Sequence, residues 1–367
     1  MAKSVQPTIL ILVSRSGGGH LNLAQALRDL LGARYNVLIV DPQSPLVERG
    51  YTLASRHFVR LLTWQFALTD NKVAAWLLQH TLVLLSHRHF SKIIQKIRPQ
   101  LIITTHALVS SVAAYANRHS SQRVPLVFQF TDLESLHMTW FVEKRADAYL
   151  APTREIFAQA LEQGIAQDRL YLTGRPVRRQ FWNNASGRRE EVLTDLGLNP
   201  ALFTLFLQGG AKGSAGVDRL VGDILALDPP IQIILAAGSN PEMLARYTGT
   251  ARVHVLAFTE EIAPFMAVAD VIAGKAGASF ITEAFMLEKP FLVTTFIPGQ
   301  ETPGLRFIER YNLGWICLET TTLRELLTKL ASNPAMIAEK VSSIRAYRAW
   351  NMQANQAIES LIDRLLS

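Results

Sequence analysis

At 367 residues, with 49% hydrophobic and 18% charged side chains, the chain exceeds what one hydrophobic core ordinarily organises and is far from the composition of a disordered segment, so two domains are the default. Its single cysteine, Cys317, excludes an intrachain disulfide and a zinc-type cysteine pair, and it points to a reducing compartment. The net charge of +7 is unevenly shared: residues 1–180 hold 21 Lys+Arg against 11 Asp+Glu, and residues 181–367 hold 16 against 19, so the first half is the one that would face an anionic partner.

The opening, MAKSVQPTILILVS, has a short apolar run with no small-residue cleavage pattern behind it and reads as a first strand, not a signal peptide. Arg15-Ser16-Gly17-Gly18-Gly19-His20 then makes a turn into a helix whose Leu23, Ala26, Leu27, Leu30 and Leu31 keep helical spacing. With the next strand, NVLIVD, this β-α-β start predicts a parallel sheet, right-handed crossovers and a ligand crevice beyond the strands' carboxyl ends. The glycines are not spaced G-x-G-x-x-G, so no dinucleotide fingerprint is supported.

Residues 51–98 predict a long helical stretch broken near Asp70-Asn71. Val73 to Ser86 contains no Asp, Glu, Lys or Arg, yet it is shorter than the ~20 residues a membrane-spanning helix needs. Trp64 and Trp76 among leucines, flanked by Arg56, Arg60, Lys72, Arg88, Lys92 and Lys96, fit a helix pair in a membrane interface; an internal core helix fits the same pattern. His87 and His89 have no acidic or cysteine partner nearby, so a metal site is not expected there. No helix-turn-helix, RNA-binding aromatic signature or zinc finger is visible, so nucleic acid is not expected as a partner. An anionic membrane and a merely solvated basic face both remain open.

Strands PQLIITTHA, VPLVFQFTD, AYLAP and RLYLTG alternate with helices at Ser110–Asn117 and over TREIFAQALEQG. Gly174-Arg175-Pro176-Val177-Arg178-Arg179 breaks the pattern and starts a linker reaching about Pro200. A second alternation follows: LFTLFLQ, the turn at Gly209-Gly210, IQIILAAG, RVHVLAF and DVIAGKAG. Two Rossmann-like halves joined near residue 180 are expected, 1–180 and 181–335, with a helical segment, 336–367, able to pack across both.

Ala273 to Glu301 combines a small-residue loop, a helix, a buried strand and a polar turn. Gly274, Gly277 and Ala278 would let backbone approach a ligand, and the helix after Ser279 would aim N–H groups and a positive dipole end at an anion such as a diphosphate. Glu283 could accept two hydrogen bonds from neighbouring hydroxyls such as those of a ribose. Gln300 and Glu301 offer two more hydroxyl-binding side chains. A plain structural turn is the alternative.

With GGGH after the first strand, TDLESLHMTW in mid-chain, GRPVRRQF at the hinge and AGKAGASFITEA followed by IPGQE, the chain resembles the monogalactosyldiacylglycerol synthases. It is also similar to the bacterial processive diacylglycerol glucosyltransferases and, more distantly, to the GlcNAc transferase that makes lipid II, over roughly residues 8–330. The resemblance implies an α/β GT-B fold, two Rossmann-like domains facing a cleft. It implies inverting transfer of galactose or glucose from a UDP-sugar to a diacylglycerol-type acceptor at an anionic membrane surface, on the cytoplasmic inner face, with no cofactor and no obligatory metal.

By the same resemblance, Gly17, Gly18 and Gly19 form the acceptor loop, and His137 and Trp140 face the acceptor; His106 could also line the cleft on the acceptor side. Gly209, Gly210, Lys275, Ala276, Gly277, Glu283, Gln300 and Glu301 hold the donor. His20, with an ordinary pKa of ~6.5, is the leading base, and Asp132 is a second base or the group that orients His20. The chain departs from the family pattern at Ala107, Met138, Ala278–Ile281 and Thr302–Gly304. Other readings are a soluble or polyprenyl acceptor, a UDP-sugar epimerase, and a nucleotide-sugar-binding membrane protein with little catalysis.

Overall fold

The computed structural model describes residues 6–14, 18–42, 66–182, 186–208 and 217–367. The chain divides into two compact units, Met1–Arg179 with Ile297–Pro303 and Trp350–Ser367, and Gln180–Phe296 with Gly304–Ala349.

The first unit contains β1 (Thr8–Leu12), α1 (Gly18–Leu31), β2 (Asn36–Val40), α2 (Lys72–Ile97), β3 (Leu101–Thr104), α3 (Ala107–Arg118), β4 (Leu126–Gln129), β5 (Ala148–Ala151), α4 (Arg154–Glu162) and β6 (Leu170–Leu172). Its six strands are all parallel, in the order β2-β1-β3-β4-β5-β6. Every residue of β3, β4 and β5 is buried, which is why these segments read as almost continuous apolar runs. Within β1 the side chains alternate: Leu10 and Leu12 enter a core with Phe90, Phe128 and Tyr149, while Ile9 and Ile11 enter another with Leu27 and Leu31.

The break foreseen near Asp70-Asn71 is the N-cap of α2, where the Asn71 side chain accepts from the Ala74 N–H at 2.9 Å. The helix ends at Arg98, left-handed at φ 50°, just before Pro99. The sequence reading began α3 at Ser110; it begins at Ala107, capped by the His106 side chain. Among the described residues no helix is long and apolar enough to cross a membrane.

The second unit carries α5 (Arg189–Asp195), β7 (Phe203–Gln208), α6 (Val217–Leu225), β8 (Ile231–Gly238), α7 (Pro241–Tyr247), β9 (Val253–Ala257), α8 (Ala263–Ala267), β10 (Val271–Lys275), α9 (Ala278–Met286), β11 (Phe291–Thr295), α10 (Thr302–Arg310), β12 (Gly314–Ile316) and α11 (Thr320–Ser332). Its sheet is also parallel, in the order β12-β11-β10-β7-β8-β9. The last helix, α12 (Pro334–Leu366), contributes to each unit in turn. Its final turns place Ile358, Leu361 and Ile362 in the first unit's β1 core.

Ile297–Pro303 and Trp350–Ser367 group with the first unit, a division that a linear cut near residue 180 could not express. Strand order reverses between β1 and β3 in one sheet and between β7 and β10 in the other, and ligands of such sheets bind beyond the carboxyl ends at these switch points.

Candidate functional site

In the first unit the switch point carries titratable side chains. His20 lies in the first turn of α1, just after β1, and its Nδ1 is 2.8 Å from the Thr105 carbonyl oxygen. A carbonyl only accepts, so Nδ1 bears the proton and Nε2 keeps its lone pair. His106 follows β3 and caps α3: its Nδ1 accepts from the Leu108 N–H at 3.2 Å, which puts the proton on Nε2. The two rings meet edge to face, with centroids 4.4 Å apart. Burial pushes His20 down to about 4, and the nearby Arg175 charge acts in the same direction against the Thr105 bond. Burial, then His20, holds His106 well below its ordinary value. Both imidazoles are therefore neutral at pH near 7.

Asp132 lies beyond the end of β4. Burial pushes its carboxyl up to about 6, Arg175 and a 3.2 Å bond from the Thr131 hydroxyl oppose the shift, and Glu301 adds to it. Arg175, just past β6, is 2% exposed. Its Nη1 donates to the Thr131 carbonyl, one residue from Asp132. Its backbone is gripped on both sides by Asn351 of α12: the Arg175 N–H donates to Oδ1 at 2.7 Å and Asn351 Nδ2 donates to the Arg175 carbonyl at 3.0 Å. Asn355 donates to the Thr173 carbonyl at 3.0 Å. Gly174, at φ +68°, is required here, since a Cβ would lie 2.7 Å from both asparagine side chains. The sequence reading took Gly174-Arg175 for the start of a linker. The signal it passed over is an arginine at the carboxyl end of a strand.

Of the other residues proposed for the acceptor side, Gly17 lies outside the described residues, and Gly18 and Gly19 are the exposed first residues of α1. His137 is occupied structurally: Nδ1 accepts from the Thr139 N–H at 3.2 Å, and Nε2 donates to the Phe66 carbonyl at 3.1 Å with the Thr69 hydroxyl at 3.3 Å. It ties residues 66–69 to the 3-10 turn Met138–Phe141. Trp140 corrects the expectation outright. It is 3% exposed and packs edge-on against Phe130 at 5.4 Å, so it is a core side chain and not an acceptor-facing one. Gln300 is exposed. Glu301 is buried, with Oε2 accepting from the Ile297 N–H at 2.8 Å, and its charge acts on Asp132.

In the second unit the switch point is built from small residues. Gly274 is a strand residue paired with Gln208 of β7, and a Cβ on it would sit 2.1 Å from the Gln208 carbonyl oxygen. Its glycine admits the neighbouring strand, not a ligand, which corrects the first reading. Lys275 ends β10 and is partly buried, and the Ala276 N–H is taken by the Thr295 carbonyl at 3.2 Å. Gly277 caps α9 with no side chain, so the helix start presents backbone at the end of β10. Glu283 lies in the second turn of α9 and is 4% exposed. Gly209 and Gly210, beyond β7, lie outside the described residues. Among the described residues no three His, Cys, Asp or Glu side chains gather as a metal-ligand set.

Comparison with known proteins bears on the family and the fold. The monogalactosyldiacylglycerol (MGDG) synthase family model matches residues 20–177, and the glycosyltransferase family 28 C-terminal domain matches residues 204–304. The chain is 30% identical to the probable monogalactosyldiacylglycerol synthase 2, chloroplastic, of Oryza sativa subsp. japonica, over 82% of this chain and 68% of that one. It is 30% identical to monogalactosyldiacylglycerol synthase 3, chloroplastic, of Arabidopsis thaliana, over 82% and 69%.

Among solved structures, MurG of Acinetobacter baumannii superposes with a TM-score of 0.63 at 16% identity, covering 98% of this chain and 99% of that one. Anabaena HepE in complex with UDP-glucose superposes with a TM-score of 0.61 at 17% identity, covering 97% and 99%. Two parallel six-stranded sheets of this kind are the GT-B fold. The chain belongs to the monogalactosyldiacylglycerol synthase family and is a GT-B glycosyltransferase that transfers a hexose from a UDP-sugar.

Proposed function

We propose that the protein transfers galactose from UDP-galactose to the free hydroxyl of diacylglycerol, with inversion at the anomeric carbon, while lying on an anionic membrane surface. The observation that carries this reading is the group formed by partly buried His20, His106 and Asp132 with buried Arg175 at the carboxyl ends of parallel strands, in a chain whose relatives are named for galactolipid synthesis. Glycosyl transfer needs a base for the acceptor hydroxyl and stabilisation of the departing diphosphate.

The sequence alone favours His20 as base; desolvation of both groups supports the opposite order. A carboxylate held at about 6 takes a proton more readily than an imidazole held at about 4. Asp132 therefore removes the hydroxyl proton. Neutral His20 accepts a hydrogen bond at Nε2 and positions the same hydroxyl. The oxygen attacks the anomeric carbon, the bond to UDP breaks, and the diphosphate charge is met by backbone N–H groups at the start of α9 with Lys275 beside them. Glu283 takes the ribose hydroxyls.

The membrane part rests on α2. Its inner face, with Ala75, Gln79, Phe90 and Ile94, is buried. The opposite face exposes Trp76, Leu77, Leu84 and Leu85, the last two at 75% and 78%, with Lys72 and Arg88 on the same helix. Such a face fits shallow insertion among lipid headgroups.

Purified protein given radiolabelled UDP-galactose or UDP-glucose with diacylglycerol in anionic vesicles tests the whole reading. Monogalactosyldiacylglycerol is the expected product. Glucolipid alone would revise the sugar, and no glycolipid from either donor with folded protein would sink the proposal. The acid limb of the kcat/KM profile separates the bases, falling near pH 6 for Asp132 and near pH 4 for His20.

A further inference from the structure

Arg175 is a buried, permanently charged side chain that the transfer chemistry above does not use. Arginine is rarely buried without a task for its charge, because desolvating a guanidinium is expensive unless its hydrogen bonds and counter-charges are supplied. Here the Thr131 carbonyl at the end of β4 accepts a hydrogen bond from the guanidinium, the Asp132 carboxyl lies within reach of its charge, and Asn351 of α12 clamps the Arg175 backbone at both its N–H and its carbonyl. The glycine before it has no room for a Cβ, so the arginine is seated with little freedom to move.

The groups around it come from different elements: His20 from α1, His106 from α3, Asp132 from the end of β4 and Glu301 from Ile297–Pro303. Its charge reaches two of them directly, His20 and Asp132. Glu301 opposes it at Asp132, and His106 acts on the site through His20.

We infer that Arg175 is a positioning residue of the transfer reaction: its guanidinium, held by the Thr131 carbonyl on a backbone that Asn351 clamps, is the fixed cation beside which Asp132 takes the acceptor's proton and His20 positions its hydroxyl. The inference rests on the reading of those two residues as the proton-handling pair. The physical consequence is the same at both. A neighbouring cation favours the carboxylate over the carboxylic acid, and it disfavours the imidazolium over the imidazole. Arg175 thus keeps both groups deprotonated and ready to accept, while burial alone would leave Asp132 partly protonated close to neutrality. It also makes Asn351 and Asn355, near the end of the chain, part of the support for chemistry at the ends of β1 and β4.

The test is the pH dependence of kcat/KM in the purified full chain, with the donor that supports turnover and diacylglycerol vesicles. Removing the cation in Arg175→Gln moves the acid limb to higher pH by about one unit or more, whichever of Asp132 and His20 is the base. Arg175→Lys, which keeps a charge but loses the planar fork, restores the limb to within about half a unit of the unmodified protein, at some cost in kcat. A uniform fall in rate with an unmoved acid limb would mark Arg175 as merely structural and overturn the inference.

Should Arg175→Gln not fold, Asn351→Ala carries the test, since it leaves the charge but loosens its seat. A smaller upward shift of the limb is expected, and an unmoved limb again overturns the proposal. Asp132→Asn and His20→Ala distinguish the levels. If both keep full turnover, the proton-handling reading and the inference fall together. If both lose turnover while Arg175→Gln leaves the limb in place, only the Arg175 inference falls.

Discussion

The two switch points are built from opposite materials. In the first unit the ends of β1, β3, β4 and β6 present two neutral histidines, a carboxyl held at about 6 and a buried arginine, and Ile297–Pro303 adds a second carboxylate. In the second, the end of β10 presents Ala276, Gly277 and a helix start without a side-chain cap at Gly277, with the buried carboxylate of Glu283 behind them. Moving a proton requires side chains whose charge is tuned by their surroundings. Holding a diphosphate requires backbone N–H groups, which carry partial charge without titrating. On the function proposed above, the contrast gives the proton transfer to one sheet and the anion binding to the other.

The sharpest way to break that division is to remove the titratable side. Asp132→Asn is expected to lower turnover roughly 100- to 10,000-fold while UDP binding, measured by calorimetry, stays unchanged; weakened UDP binding would erase the contrast. Next in size is Gly274→Ala. Its Cβ would meet the Gln208 carbonyl at 2.1 Å, a clash with backbone that should cost about 3 kcal/mol or more, read as a lower thermal midpoint. An unchanged midpoint would show that β7 and β10 can part without penalty.

Glu283→Ala should weaken UDP-sugar binding by roughly 10- to 100-fold, the value of hydrogen bonds to a charged group, and leave the acid limb of the pH profile where it was. A moved limb would tie Glu283 to the proton-handling side and blur the two roles.

The smallest effect is in stability against pH. The folded chain holds the Asp132 proton up to about 6 instead of 3.8, so this group withdraws stability as pH rises through that window. His20 gives up its proton at about 4 instead of 6.5, so it adds stability as pH rises through nearly the same window, and His106 acts in the same sense. The opposing slopes partly cancel. Asp132→Asn removes the first, and urea midpoints at about pH 5 and about pH 7 should then rise more steeply with pH than in the unmodified protein. An equal slope would mean that Asp132 is not held protonated by the fold.

Much of the architecture was legible beforehand because hydrophobic period is a local property. The strand PTILILVS, the helix after His20 and the strand–helix–strand over Ala273–Thr295 all announce themselves within a dozen residues. The end of α2 was legible for the same reason, since Arg98 precedes a proline. Trp140 was misjudged because the resemblance placed it by its position in the TD…H…W segment, whereas the 3-10 turn after His137 directs it onto Phe130. Gly274 was misjudged because a run of small residues resembles a ligand loop, and only the pairing with Gln208 shows which backbone it admits.

The sequence by itself determined the two β-α alternations, the charge imbalance between the halves and the ordered motifs that carry the family resemblance. These are short-range patterns, and short-range patterns survive being read one window at a time. Only the tertiary structure decided that His20, His106, Asp132, Arg175 and Glu301 act on one another. Parallel crossovers bring distant strand ends to the same edge of a sheet, and desolvation there sets each group's charge. Both depend on the whole packed unit, so no stretch of chain holds them alone.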